Sequence, residues 1–552
     1  MLTKLRCCLL ARTTISKSDI VANLSYLHLH RSVCSMHGRS FSICKILDAK
    51  VNDSGNLKQQ RNLHSHNYDS RNEWKARSIL YKTMFIIGTS LAGGIIIKTG
   101  MKSVNADDDD NGDNDTVESE IDNIHISEYY AGNEITLTEA VKRSKAILER
   151  KKIQNGCPGI SVAVSVDGNM IWADGFGYSD LENMIPITPE TILRIASISK
   201  PIAMVTVAKE VEAGRLDLDA PIQQYVPEFP EKTWKNEKVT ITTRQLLCHL
   251  SGIRDYNKDY IQKAKKNGTE DSKKKNTLPD EYHIMKKYDS VKEGLDLFKD
   301  DPLVHAPGSK FLYTTHGWTL VSAVVEKVTT EHKDFLTYYK STLQELGMRD
   351  TYPDHHSPLI PNRGRHYVKN ERGRVVNAPY VDLSYKWAGG GLISNVLDVI
   401  KFGNAMLYSY QADISRQDKK NLCNEVKQGY LKPETMKLIW SPIKNAEVKW
   451  EGIANGHYGL GWKVQSVEKP IPFCQEQKFY ACHTGGAVGA SSVVLILPNT
   501  RSTKGLDRSK IQSDSVRPLP QGVVVAIIAN ISECGFEKDA YDIATLFERV
   551  KF

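Results

Sequence analysis

Residues 189–230 read PETILRIASISKPIAMVTVAKEVEAGRLDLDAPIQQYVPEFP. Within them Ser197 and Lys200 stand in the order S-x-x-K at the head of an apolar run. Residues i and i+3 of a helix share a face, so this spacing predicts the Ser197 hydroxyl and the Lys200 amine within hydrogen-bonding reach. A serine hydroxyl is a poor nucleophile until a neighbouring base takes its proton. A lysine held in an apolar, partly buried site loses its charge readily enough to be that base. Pro201 suits a first helical turn, where a missing N–H costs little. The helix start also offers free N–H groups and a positive dipole end to a reacting carbonyl.

Spacing alone does not select this serine. The same tetrapeptide pattern occurs at Ser42/Lys45, Ser272/Lys275, Ser441/Lys444 and Ser466/Lys469. The first lies in a basic N-terminal region, the second in a charged insertion, the third carries Pro442, and the fourth precedes Pro470. A serine at a helix start is also often a simple N-cap. Only Ser197 follows a Gly-rich hairpin and opens a long amphipathic helix.

Working outward, residues 137–153 place apolar side chains at helical intervals. Residues 159–166 (GISVAVSV) and 170–176 read as two strands joined at Asp167-Gly168, a dipeptide that supplies the positive φ of a tight hairpin turn. Helices are predicted at 198–213, 243–250 and 317–328. Strands follow at 458–464, 490–497 and 522–529, and a closing helix spans 538–550. Strands at both ends with helices between them imply an α+β fold: one antiparallel sheet built from both chain ends, flanked by helices, with a helical insertion domain. Two polar stretches, 256–289 (Lys-rich) and 499–521, read as solvated loops.

The whole chain has 552 residues and a formal charge of +8. Residues 1–102 hold 16 Lys/Arg against 5 Asp/Glu, so everything after them is slightly acidic. A nucleic-acid binder would carry its basic excess on the folded part, so no nucleic-acid partner is expected. The first 46 residues are Arg-, Ser- and Leu-rich with Asp19 as their one acid, the composition of a mitochondrial transit peptide. Residues 78–97 (SILYKTMFIIGTSLAGGIII) are apolar apart from Lys82. They are marginal for crossing a bilayer, with Lys82 able to snorkel. Residues 105–122 (NADDDDNGDNDTVESEID) are acidic and read as a disordered linker.

The expected organisation is therefore a transit region (1–77), an anchor or cleaved sorting segment (78–98), an acidic linker (99–130) and a catalytic domain (131–552) with its Lys-rich insertion at 256–289. That order suits the intermembrane space or the inner membrane, with membrane association through 78–98. Ten cysteines form no CxxC pair or zinc-type cluster. Their spacing supports no disulfide, one between Cys474 and Cys482 included.

Residues 189–230 closely resemble the nucleophile region of class C-type serine β-lactamases and related penicillin-binding proteins and esterases. The likeness continues through TTRQLLCHLSGI (242–253), PGSKFLYTTHGWTLVSAVVE (307–326), AGGGLISNVLDVIKFGNAML (388–407), YGLGW (458–462) and HTGGAVGASSVVLILP (483–498). With the leader, the resemblance is to the mitochondrial members of this family in animals. It implies a β-lactamase/transpeptidase-like fold and places Ser197 as the acylated serine, Lys200 as its base and Tyr313 as the tyrosine of the Y-x-N element. That phenol is expected to relay protons at a pKa lowered by nearby cations.

Two positions depart from the family pattern. Thr315 stands for the asparagine, keeping a hydroxyl but losing the amide that would donate to a substrate carbonyl. His483-Thr484-Gly485 stands for K-T-G, exchanging a fixed charge for one expected to titrate near neutrality. Thr315, His483, Thr484, Gly485 and Gly486 are thus the expected substrate-binding residues, with the Gly486 and Ser197 N–H groups as oxyanion hole by analogy. The resemblance implies serine peptidase activity on a peptide or ester substrate, and an effect on mitochondrial lipid metabolism. No metal or organic cofactor is required. Esterase or weak β-lactamase action, and a non-catalytic self-assembling homo-oligomer, are the alternatives. His249, Trp387 and Gly389–Gly391 read as structural or turn elements, the latter as a potential cleft wall.

Overall fold

The computed structural model describes residues 134–256, 280–412, 429–448, 456–465, 478–499 and 520–552. The expected transit region, the apolar segment, the whole linker and the middles of both polar stretches lie outside the described residues. Among the described residues no helix is long and apolar enough to cross a membrane.

The first helix, α1 (Leu137–Gln154), starts at a Thr136 N-cap whose hydroxyl accepts from Glu139 N–H. The predicted hairpin follows as β1 (Gly159–Val166) and β2 (Asn169–Asp180), turning at Asp167 (φ 50°) and Gly168 (φ 82°). The chain then adds β3 (Ile185–Pro186), and α2 (Ser199–Glu212) follows the turn that carries Ser197. Helices α3 (Thr243–Leu247), α4 (Thr315–Val328), α5 (Phe335–Glu345), α6 (Val396–Gln411) and α7 (Pro433–Ile439) fill the middle of the chain.

The C-terminal part returns to the sheet as β4 (Glu447–Val448), β5 (Gly456–Tyr458), β6 (Lys463–Gln465), β7 (Tyr480–Ala487), β8 (Ala490–Pro498) and β9 (Gly522–Ala529), and α8 (Glu537–Glu548) closes it. The nine strands lie in the order β4-β5-β6-β7-β8-β9-β1-β2-β3, every neighbouring pair antiparallel. Both chain ends do build one sheet.

Its central strands look apolar throughout because both faces are covered. On β9, Val523, Val525, Ile527 and Ala529 point to a core shared with α1 and α8, while Val524, Ala526 and Ile528 join the core that holds α2, α4 and α6. β1 and β8 alternate in the same way, as a two-residue repeat demands.

Three readings need correction. Residues 458–464 are not one strand. The Leu460 and Gly461 N–H groups leave the ladder to donate to the carbonyls of Ile439 and Leu247, at 2.9 and 3.1 Å, splitting β5 from β6. The 243–250 helix stops at Leu247, because Cys248 and His249 (φ 60°) turn the chain away. The ends of the Lys-rich stretch are not solvated loop. Glu281 is buried against Arg254, which spans it with two hydrogen bonds of 2.7 and 2.9 Å, and Tyr256 and Tyr282 reach the cleft described below.

A buried ion pair joins the sheet to the last helix. Lys463 on β6, fully buried, reaches Glu537 at the start of α8, whose Oε1 also accepts from the Tyr480 hydroxyl at 3.0 Å.

Candidate active site

Ser197 sits in a single 3-10 turn, Ala196–Ile198, just before α2. Ala196 takes φ 49°, a left-handed conformation costing roughly 1–2 kcal/mol without glycine. The turn leaves Ser197 half-exposed, while Ile195, Ala196, Ile198 and Ser199 around it are buried. Ser199 faces inward: its Oγ accepts from Leu392 N–H at 3.2 Å, and its carbonyl accepts from the Tyr339 hydroxyl at 2.7 Å.

Lys200, 0% exposed, places Nζ 3.1 Å from Ser197 Oγ and donates to the Gly389 carbonyl at 2.6 Å. The same amine lies 4.8 Å from the centre of the Tyr313 ring. Burial pushes its pKa down to about 7, with Lys386 adding to the shift and Asp255 opposing it. The neutral amine is therefore within reach near neutral pH, which suits a base.

Tyr313, just before α4, packs its ring against His249 at 4.2 Å between centroids, and its hydroxyl pairs with that of Ser197. Its pKa is raised rather than lowered: burial outweighs the opposing hydrogen bond to Ser197. The phenol stays protonated, a donor rather than a phenolate, because burial and the neighbouring Asp255 carboxylate both disfavour a new negative charge there. His249 accepts from Thr314 N–H through Nδ1 at 3.1 Å, and burial holds its pKa well below the usual range. It braces Tyr313 as a neutral ring.

The strand β7 forms the opposite wall. Gly485 has no room for a side chain, since a Cβ there would stand 2.3 Å from the Ile195 carbonyl oxygen and 2.2 Å from Ser492 Oγ. This close approach brings the exposed Gly486 beside the Ser197 turn, and both line the cleft. Gly485→Ala is expected to displace β7 by a fraction of an ångström or more and lower kcat/KM about a hundredfold, measured on a chromogenic ester with the variant's folding checked by circular dichroism.

His483 departs from its expected role. It is fully buried, with Nε2 2.7 Å from the Tyr458 hydroxyl and Nδ1 2.7 Å from the Thr484 carbonyl. That pairing fits a neutral ring donating from Nδ1 and accepting at Nε2. Burial, then the charge of Lys200, lower its pKa to about 3. It neither titrates near neutrality nor faces the cleft, so it offers no charge to a substrate carboxylate. Thr484 beside it is half-buried.

The cleft has a volume of about 220 Å³, and its wall includes Ser197, Asp255, Tyr256, Tyr313, Thr315 and Lys386. Thr315 donates its N–H to Asp255 Oδ1 at 2.7 Å. Ser197, Tyr313, Thr315 and Gly486 thus meet as expected, with Lys200 behind them. Asp255, Tyr256, Tyr282 and Lys386 join them without having been singled out in the sequence. Lys386 adjoins the Trp387–Gly390 segment, and a lysine set among aromatics beside a glycine run was the one legible signal. Among the described residues no group of His, Cys, Asp and Glu could hold a metal ion. Cys157, Cys248, Cys482 and Cys534 are free and buried.

An antiparallel sheet covered on both faces, with a serine-bearing turn docked against one of its strands, is the architecture of β-lactamase/transpeptidase-like proteins. The chain belongs to the β-lactamase family: the family model described as Beta-lactamase matches residues 138–546. It is 42% identical over 453 residues to the human (Homo sapiens) serine beta-lactamase-like protein LACTB, mitochondrial, covering 74% of this chain and 80% of that relative. Among solved structures, the octameric penicillin-binding protein homologue from Pyrococcus abyssi aligns with a TM-score of 0.53 at 24% identity, covering 73% of this chain and 76% of that one. The D-amino acid amidase from Ochrobactrum anthropi SV3 aligns at 0.52 and 20% identity, covering 74% and 98%. These two likenesses concern the fold.

Proposed function

We propose that this protein is a mitochondrial serine hydrolase that works through an acyl-enzyme on Ser197 and acts on amide bonds as a peptidase. The observation that carries the reading is the 3.1 Å approach of Lys200 Nζ to Ser197 Oγ inside a desolvated pocket. Neutral Lys200 takes the Ser197 proton as Oγ attacks the carbonyl carbon. The oxyanion meets the backbone N–H groups of Ser197 and Gly486, donors of a kind worth about 3 kcal/mol each. The Lys200 ammonium, with the protonated Tyr313 beside it, then returns the proton to the leaving group. An amine leaves only when protonated, so a protonated phenol and a recharged lysine at one oxygen favour amide cleavage.

Thr315 and the neutral His483 remove two recognition groups of a β-lactamase and leave ester cleavage intact, so an esterase is the second reading. Mitochondrial location is supported by the basic leader and by the name of the 42%-identical human relative. Sorting to the intermembrane space or inner membrane rests on the order of leader, apolar segment and linker. The role in mitochondrial lipid metabolism rests on the family resemblance.

A fluorophosphonate probe tests the enzyme reading. Labelling is expected in the wild type and in Ser199→Ala, and lost in Ser197→Ala. Unlabelled wild type, or equal labelling of the two variants, overturns it in favour of a non-catalytic, self-assembling scaffold.

A further inference from the structure

Acylation as described leaves one cleft lysine without a task. Lys386 ends the 3-10 turn Ser384–Lys386, and the next residues, Trp387–Gly390, include the carbonyl that holds Lys200. Its Nζ donates to the Tyr256 hydroxyl at 2.9 Å and lies 5.1 to 5.6 Å from the ring centres of Tyr256, Tyr282 and Tyr385. Lys386 and Tyr256 both line the cleft, whereas Lys200 does not.

That difference matters once an acyl group sits on Ser197. Lys200 is then behind the ester, enclosed by the Gly389 carbonyl and the Tyr313 ring. Water reaching the acyl carbon comes from the open side, whose wall carries an amine–phenol pair of its own. We propose that Lys386, hydrogen-bonded to Tyr256, is a second catalytic base and activates the water that releases the acyl group from Ser197. This rests on the acyl-enzyme reading above.

In the step, a water O–H bond breaks and its proton goes to Lys386 Nζ, while the water oxygen bonds to the acyl carbon. The tetrahedral oxyanion collapses, the carbonyl re-forms and the bond from carbon to Ser197 Oγ breaks. Oγ recovers a proton from the Lys200–Tyr313 side, which is recharged from cleft water as Lys386 gives its own proton back to that water past Tyr256. The products are a carboxylic acid and free Ser197. Burial suits Lys386 to the exchange by bringing its pKa down to about 7, against the pull of Asp255 and Asp354 and aided by Arg194. The tyrosine ring faces favour the ammonium, so both forms are populated.

The test uses the full chain with p-nitrophenyl acetate and the variants Lys386→Met and Lys386→Arg. A guanidinium keeps the charge but does not lose its proton. Because kcat/KM counts only steps through acylation, both variants, assayed near pH 9 above the Lys200 limb, should show kcat and KM lowered together, at least about tenfold, with kcat/KM held within about twofold. A burst of p-nitrophenol should precede the steady state, and intact mass should show one acetyl group accumulating on Ser197. Retained kcat/KM also certifies the fold. Wild-type kcat in Lys386→Arg, or a fall in kcat/KM with no trapped acetyl group, overturns the proposal: the first makes Lys386 a fixed cation, the second a substrate anchor. If the wild type itself turns over without any dependence on Ser197, the parent reading fails instead.

Discussion

Lys200→Met is expected to reduce acyl transfer at neutral pH by at least about a thousandfold, near the upper range of a general base, while leaving the protein at least as stable as before. Two opposite effects follow from one cause, the desolvation of the Lys200 amine. Its folded pKa of about 7 lies below the 10.5 of an exposed lysine. Between those values the unfolded chain holds a proton that the folded chain lacks, so this lysine lowers stability increasingly as pH falls from about 10.5 towards 7. Methionine fills similar space without that penalty. Lys200→Arg should be equally inactive, since guanidinium does not deprotonate.

The same shift predicts a rising limb in the wild-type kcat/KM profile. The base works when neutral, so activity should be low at pH 6, half-maximal near 7 and level above about 8. Lys200 and Lys386 feel each other's charge, so the limb belongs to the pair, and Lys386→Met should move it upward by removing a neighbouring positive charge. A profile flat between pH 6 and 8, or a Lys200→Met variant that keeps a tenth of the activity, would remove Lys200 from its role.

The second large effect concerns stability. Lys463→Met is expected to cost about 3–5 kcal/mol, because it strands the buried Glu537 carboxylate without its partner. The double variant Lys463→Met/Glu537→Gln should recover most of that loss: it removes both charges and keeps an acceptor for the Tyr480 hydroxyl. Denaturant unfolding of the two single variants and the double variant measures this directly. Additive losses in the double variant would mean that the pair does not act as a unit. The residues tie β6, next to the cleft strand β7, to α8, so the loss should appear in the global transition.

Much of this was legible in the chain. The Asp167-Gly168 turn, the apolar runs of β1, β8 and β9, and the spacing of Ser197 and Lys200 are local patterns, each decided by a few neighbouring residues. The motifs at 307–326, 388–407 and 483–498 bring Tyr313, Gly389 and Gly486 to the same cleft, and His249 from 242–253 packs behind Tyr313 as a structural residue. The 458–464 segment was misread because nothing local shows that two of its N–H groups bond to carbonyls in α3 and α7. Tyr256 and Tyr282 were hidden because they border a polar, Lys-rich run, although their own side chains pack inward.

The sequence by itself determined where the hairpin turns, which apolar runs form strands and, from the helix that follows it, which of the S-x-x-K serines has its lysine on the same helical face, because turns and helix and strand periodicity are short-range geometry. Only the tertiary structure decided the protonation of the groups at the site. Lys200 and Lys386 brought near neutrality, Tyr313 kept as a phenol and His483 held uncharged all depend on how much water the rest of the fold excludes. Desolvation is a property of everything packed around a group, and most of what surrounds these four is distant from them in sequence.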